Sequence, residues 1–238
     1  MSGRRALGLL AGAGLLLGAV SLLGSGLPPA PTASASAPMI VDGEFTESAP
    51  WAARLYQDGK DGHCTASVIS PEWILTARHC IQDQHQWGFR IGDVEHAKGQ
   101  YVDVAAGGVR LHDAADLALL QLSSPVQAET VRLGTLDDVA EGDEVTIHGW
   151  GQTEQEEQSP LLKNAKLRVT DVAAKDAYGG KAVDGTAING VCGVGDSGGP
   201  MFAGNGTQVG VLSTGTDKTC QYTHVGAFRD WIRSVAGV

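Results

Sequence analysis

Gly195-Asp196-Ser197-Gly198-Gly199-Pro200 sets a hydroxyl between glycines and an acid. A serine alcohol attacks a carbonyl poorly at neutral pH unless a base takes its proton. Histidine suits that work because its pKa lies near neutrality. The imidazole then needs a carboxylate to hold its other ring nitrogen, and the developing oxyanion needs fixed donors. In so glycine-rich a turn, the amides of Gly195 and Ser197 can point at one spot. The base candidate is His79, in Thr76-Ala77-Arg78-His79-Cys80 after the apolar run Trp73-Ile74-Leu75. That places it where a strand ends and a loop begins. Other histidines compete, among them His63, His85 and His112; what lifts His79 is its neighbour Cys80, which can anchor its loop. The acid candidate is Asp116, which leads into Leu117-Ala118-Leu119-Leu120 and would be costly to bury unpaired. Asp113 is its neighbouring rival, and a surface strand cap is the plainer use. The chemistry implied is acyl transfer through a covalent serine intermediate.

The elements that must position these groups read as short strands. Tyr101-Val102-Asp103-Val104, Glu144-Val145-Thr146-Ile147-His148 and Gln208-Val209-Gly210-Val211 alternate with period two. Ala66 to Ile69 and Trp73 to Thr76 flank a turn at Ser70-Pro71-Glu72. Leu117 to Leu122 is apolar but for Gln121, which predicts a strand buried on both faces. With 33 glycines and no internal repeat, this pattern predicts an all-β sandwich or barrel. Asp137 to Asp143 and Gly151 to Pro160 are polar connections. Near the C-terminus Ala227, Trp231 and Ser234, and likewise Phe228, Ile232 and Val235, recur at helical spacing, which predicts a short terminal helix.

The first residues carry an address. Arg4 and Arg5 precede the apolar stretch Ala6 to Leu23, and Ala33-Ser34-Ala35 and Ala35-Ser36-Ala37 offer small-residue cleavage sites. We expect a signal peptide over residues 1–35, a short propeptide at 36–39, and a domain over 40–238. A retained membrane anchor is the rival reading. Removing residues 1–39 takes away two of 17 basic residues and none of 27 acidic ones, so the net charge moves from −10 to −12. Such a charge argues against nucleic acid and anionic membrane partners, which are bound through Lys and Arg. Four cysteines in an exported chain imply two disulfides, with three possible pairings. No Cys-x-x-Cys or His-x-x-x-His pattern suggests a metal site. Neither metal nor cofactor is expected, and Asp93 and Glu95 are read as solvated acids.

Taken in order, His79, Asp116 and Ser197 resemble the chymotrypsin-like (trypsin-like) serine proteases. Ile40-Val41-Asp42-Gly43, His148-Gly149-Trp150-Gly151 and Ser213-Thr214-Gly215 resemble further segments of that family, so the likeness runs from residue 40 to about 236. It implies two antiparallel Greek-key β-barrels, at about 52–130 and 131–226, followed by a helix at 227–236. It implies Cys64–Cys80 and Cys192–Cys220 disulfides. It implies His79 as general base, Asp116 as its orienting acid with Ser213 beside it, and Gly195 and Ser197 as oxyanion donors. It implies cleavage after Met39, so that the Ile40 ammonium pairs with Asp196. The protein would then be a secreted, monomeric endopeptidase acting on proteins or peptides and open to proteinaceous inhibitors. A pseudoprotease, using the same fold for binding or regulation, is the alternative from another class.

Three departures from the family pattern stand out. Arg78 replaces a small residue beside the histidine. Cys192-Gly193-Val194-Gly195 is one residue longer than usual, and the stretch from Cys220 to Tyr222-Thr223 is shorter. Gly190 and Val191, with Ser213, Thr214 and Gly215, are expected to line the primary pocket. They offer no carboxylate, so cleavage after uncharged residues is expected; Asp217 could restore basic specificity if its loop folds inward.

Overall fold

The computed structural model describes residues 43–153 and 158–238. The expected signal peptide and propeptide, with Ile40, lie outside the described residues. After the two-residue strand β1 (Glu44–Phe45), six strands close the first barrel. They are β2 (Ala52–Gln57), β3 (Lys60–Ser70), β4 (Trp73–Thr76), β5 (Trp87–Ile91), β6 (Gln100–Leu111) and β7 (Ala118–Leu122). The second barrel comprises β8 (Glu144–Gly149), β9 (Lys163–Lys175), β10 (Lys181–Ala187), β11 (Pro200–Phe202), β12 (Gln208–Gly215) and β13 (Thr219–His224). The first runs β2-β3-β4-β7-β6-β5; the second runs β9-β10-β13-β12-β11-β8 and closes through β8–β9 pairing. Numbered within each barrel, the cyclic order is the same, and every pairing between these strands is antiparallel. The expected all-β fold of two Greek-key barrels is therefore what forms. A 3₁₀ turn (Val225–Phe228) leads into the helix α1 (Arg229–Ala236), two residues later than the sequence period suggested.

Side-chain alternation explains the packing. Ala118, Leu120 and Leu122 of β7 point into the first barrel with Leu55, Val68, Ile74 and Phe89. Leu117 and Leu119 face the other way, against Leu75, Val211, Val225 and Ile232. The strand is buried on both faces because the second barrel and α1 cover its outer side. The second barrel fills with Val145, Ile147, Leu167, Val183, Val209 and Tyr222. β12 departs from its apparent alternation, since Gln208 and Gly210 are as buried as their apolar neighbours. Gln208 sits in the seam, where its Oε1 accepts the Ser67 hydroxyl of β3 at 2.7 Å. A buried amide needs such a partner.

His224, at the end of β13, is 1% exposed, and its Nδ1 has no hydrogen-bond partner among the described residues. Burial, helped by the Lys181 charge, pushes its pKa down to about 4. The native state thus refuses a proton that the unfolded chain accepts near pH 6.5, so stability falls as pH falls between those values. We expect denaturant melts of wild type and His224→Phe to diverge from pH 6.5 toward 4, by up to about 1.4 kcal/mol per pH unit. Parallel pH profiles would refute this.

Candidate active site

Three chain segments bring the candidate residues to the seam between the barrels. β4 ends at Thr76 and turns at once into the 3₁₀ turn Arg78–Cys80, which carries His79. The Cys64–Cys80 disulfide ties that turn to β3. Asp116 immediately precedes the β7 core and is fully buried. Its Oδ1 accepts the His79 backbone amide at 2.9 Å, and its Oδ2 lies 2.7 Å from His79 Nδ1. Ser213, on β12 of the other barrel, donates its hydroxyl to the same Oδ2 at 2.7 Å. Burial alone would raise the Asp116 carboxyl, but its bond to His79, the imidazole charge, and the Ser213 and backbone donors bring it below its usual value. Asp113 is exposed and contributes only its carbonyl, so of the two acids Asp116 meets the histidine.

Ser197 lies in the turn before β11 and lines one cleft with His79 and Gly195. No hydrogen bond joins Ser197 to His79 among the described residues. His79 Nε2 instead sits 3.9 Å from Cys80 Sγ. Both sulfurs beside His79 belong to the disulfide, so that cluster offers no thiolate to a metal. The turn is fixed on both sides of Gly195, whose φ of 100° favours glycine. Gln152 N–H donates to the Val194 carbonyl at 2.7 Å. In a trans peptide the N–H opposes the C=O, so this bond turns the Gly195 N–H away from Gln152. On the other side, Asp196 N–H donates to the Gly193 carbonyl at 3.1 Å, closing a four-residue turn. The Gly195 and Ser197 amides donate to no group among the described residues.

That turn absorbs the extra residue of Cys192-Gly193-Val194-Gly195. Val194 bulges outward, 60% exposed, and Gly193 N–H donates to Asp196 Oδ2 at 2.8 Å. Asp196 Oδ1 accepts Gly151 N–H at 2.7 Å. A Cβ on Gly149 or Gly151 would come within 2.1 or 2.4 Å of that carboxyl, which accounts for both glycines of His148-Gly149-Trp150-Gly151. Complete burial pushes Asp196 up to about 7 against the pull of these amides and the Arg54 charge.

Beside Ser197 opens a cavity of about 420 Å³ lined by Val191, Cys192, Val194, Leu212, Ser213, Thr214 and Gly215. The second disulfide, Cys192–Cys220, borders it, and Cys220 pairs across the hairpin with Gly215. The stretch from Cys220 to Thr223, expected to be short, lies in β13, and the turn before it is tight, with Thr216 N–H donating to Thr219 C=O at 2.8 Å. Asp217 stands exposed on that turn, at the cavity's edge. Gly190 is a correction: it is buried away from this cavity, against Ala165 and Gly43, because the chain reaches the pocket only at Val191.

Sequence reasoning passed over a buried acid and a buried arginine. Asp176 is 5% exposed; its Oδ2 accepts the Asp116 amide at 2.9 Å and the Thr223 hydroxyl at 2.8 Å. An Asp just before Tyr178-Gly179-Gly180 was a turn signal. Arg54 is fully buried in β2; its signal was a lone cation within Trp51-Ala52-Ala53-Arg54-Leu55. Arg78 finds carbonyls in place of an acid. It donates to His112 and Asp113 at 2.7 and 3.0 Å and stacks 4.5 Å over Tyr178.

Two barrels of one topology, with a His–Asp pair from the first and a serine turn from the second, define the chymotrypsin-like fold. HL collagenase shares it, with a TM-score of 0.72 at 23% identity over 84% of this chain and 99% of its own. An inactivated protease paralogue of the scabies mite shares it too, also at 0.72, with 20% identity over 83% of this chain and 97% of its own. The model of the Trypsin family matches residues 40–232, and the chain belongs to that family. An uncharacterized peptidase of Corynebacterium glutamicum is 36% identical over 65% of this chain and 54% of its own length. Brachyurin of Leptuca pugilator is 30% identical over 74% of this chain and 88% of its own. The chain spans about half the length of the corynebacterial relatives it matches.

Arg78 and Tyr178 brace the loops on either side of Asp116. We expect a double-mutant cycle of Arg78→Ala and Tyr178→Ala, read by urea denaturation, to give a coupling of about 0.5–1 kcal/mol. Strict additivity would show that the stack contributes nothing.

Proposed function

We propose that this chain is an exported serine endopeptidase that cleaves peptide bonds through an acyl-enzyme. The observation that carries the reading is the pair of uncommitted amides, Gly195 and Ser197, beside a hydroxyl that shares its cleft with a carboxylate-held imidazole. Ser197 attacks the scissile carbonyl, and His79 Nε2 takes its proton. Asp116 holds Nδ1 protonated and stabilises the imidazolium. The two amides receive the oxyanion, and His79 then returns the proton to the leaving amine. Water repeats the cycle to release the acid. In the apo state the Ser–His bond is often open and tightens only around substrate.

Activation is proposed to follow cleavage after Met39. The freed Ile40 ammonium would pair with Asp196, whose burial makes a charged partner worth several kcal/mol. Ile40→Gly and Asp196→Asn should each give a folded protein with weak activity; full activity in both would reject this step.

The residue before the scissile bond is proposed to be uncharged, apolar or small, because Val191, Leu212 and a disulfide line the cavity. Profiling the matured protein on a peptide library should show that preference. Strong cleavage after Arg or Lys, abolished by Asp217→Asn, would assign the pocket to basic side chains instead. The alternative, a pseudoprotease used for binding, draws on the open Ser197–His79 pair and on the inactivated paralogue of like fold. A fluorophosphonate probe separates the two. Labelling of the matured wild type but not of Ser197→Ala supports the peptidase; no labelling of either supports the binding module.

A further inference from the structure

Arginine is almost never fully buried unless its charge is engaged, and Arg54 is 0% exposed in the middle of β2. Its side chain reaches across the seam to connecting segments of the second barrel. One terminal nitrogen, Nη1, donates to the Gly195 carbonyl at 3.2 Å and reaches the Trp150 carbonyl at 3.5 Å. The other, Nη2, donates to the Gln158 side chain. Thr65, on β3, donates its hydroxyl to the same Gly195 carbonyl at 3.1 Å and accepts the Trp150 amide at 3.3 Å. Two donors from the first barrel thus converge on one carbonyl of the turn before Ser197.

That carbonyl belongs to the Gly195–Asp196 peptide, whose N–H is already held by Gly193. The preceding peptide, which carries the Gly195 N–H, is held through its carbonyl by Gln152. Glycine at a φ of 100° has no side chain to restrict it, so these bonds set the direction of its amide. The Arg54 charge also works against the rise that burial gives the Asp196 carboxyl, one residue further on.

We propose that Arg54 is a positioning residue for the oxyanion turn: from the opposite barrel, it holds the Gly195 amide on the site of the reacting carbonyl. It touches no substrate and acts through the Gly195–Asp196 peptide. The proposal rests on the reading of Gly195 as an oxyanion donor. Its consequence is selective. Substrate binding, made along β12 and in the pocket, should survive loss of Arg54, whereas stabilisation of the tetrahedral state should not.

The test compares matured wild type with Arg54→Met, Arg54→Lys and Thr65→Val, each checked for fold by near-UV circular dichroism. The readouts are kcat, KM, and affinity for a peptide boronate, which mimics the tetrahedral state, against the product peptide acid. Arg54→Met should lower kcat by about 10- to 100-fold, as small misplacements of reacting groups do. Boronate affinity should fall in parallel, while KM and product affinity change little. Arg54→Lys should recover part of the loss, and Thr65→Val should show a smaller loss of the same kind. Folded Arg54→Met with unchanged kcat, or with boronate and product weakened alike, overturns the proposal. If Arg54→Met does not fold, unchanged kcat and boronate affinity in both other variants overturn it. Wild type inert to a fluorophosphonate overturns the oxyanion reading as well. Reactive wild type with unimpaired variants overturns the role of Arg54 alone.

Discussion

A carboxylate buried where two barrels meet is the constraint on which this site depends. Asp116 has no exposed surface, and an isolated charge there would cost several kcal/mol. Its compensation comes from two places: the backbone and ring of His79, and the Ser213 hydroxyl of the second barrel. The consequences reach outward. The 3₁₀ turn after β4 must sit where its amide and ring both meet the acid. β12 must approach closely enough to deliver Ser213. The apolar seam of Leu75, Leu117, Leu119 and Val211 provides that approach. The same contacts that make the acid tolerable hold the imidazole in one orientation.

The two buried acids of the site behave oppositely, and the cause is what stands against each. Burial works to raise both. Asp116 meets an imidazole at hydrogen-bond distance and ends below the usual carboxylate range. Asp196 meets backbone amides, with Arg54 acting on it at longer range, and is pushed up to about 7. Asp116 therefore favours its charged form. Asp196 is drawn toward its neutral form instead, because backbone amides carry no full charge to offset its burial. Glycines at 149 and 151 let the strand end close over that carboxyl.

Local departures from the family pattern are each absorbed by hydrogen bonding. The added residue before Gly195 becomes part of a turn closed by Gly193 and Asp196, and pushes Val194 into solvent. The short stretch from Cys220 to Thr223 runs within β13, where Cys220 pairs opposite Gly215 of β12. Arg78 spreads over Tyr178 and two carbonyls, since its planar fork can satisfy several acceptors at once. The His79–Asp116–Ser213 contacts stand beside these local changes.

The amino-acid sequence by itself determined the fold class, the family and the candidates His79, Asp116 and Ser197. Period-two strands and a glycine turn are local properties, written within a few residues of chain. It also showed that Val191 and Ser213 to Gly215 carry no charge, while leaving the place of Asp217 open. Only the tertiary structure decided between Asp113 and Asp116, since the choice depends on which carboxylate is left without water and beside an imidazole. It moved Gly190 out of the pocket, and it made partners of Asp176, Thr65 and Arg54. Arg54 and Gly195 lie 141 residues apart in the chain. No local pattern encodes their contact, because it arises from two barrels packing along a seam.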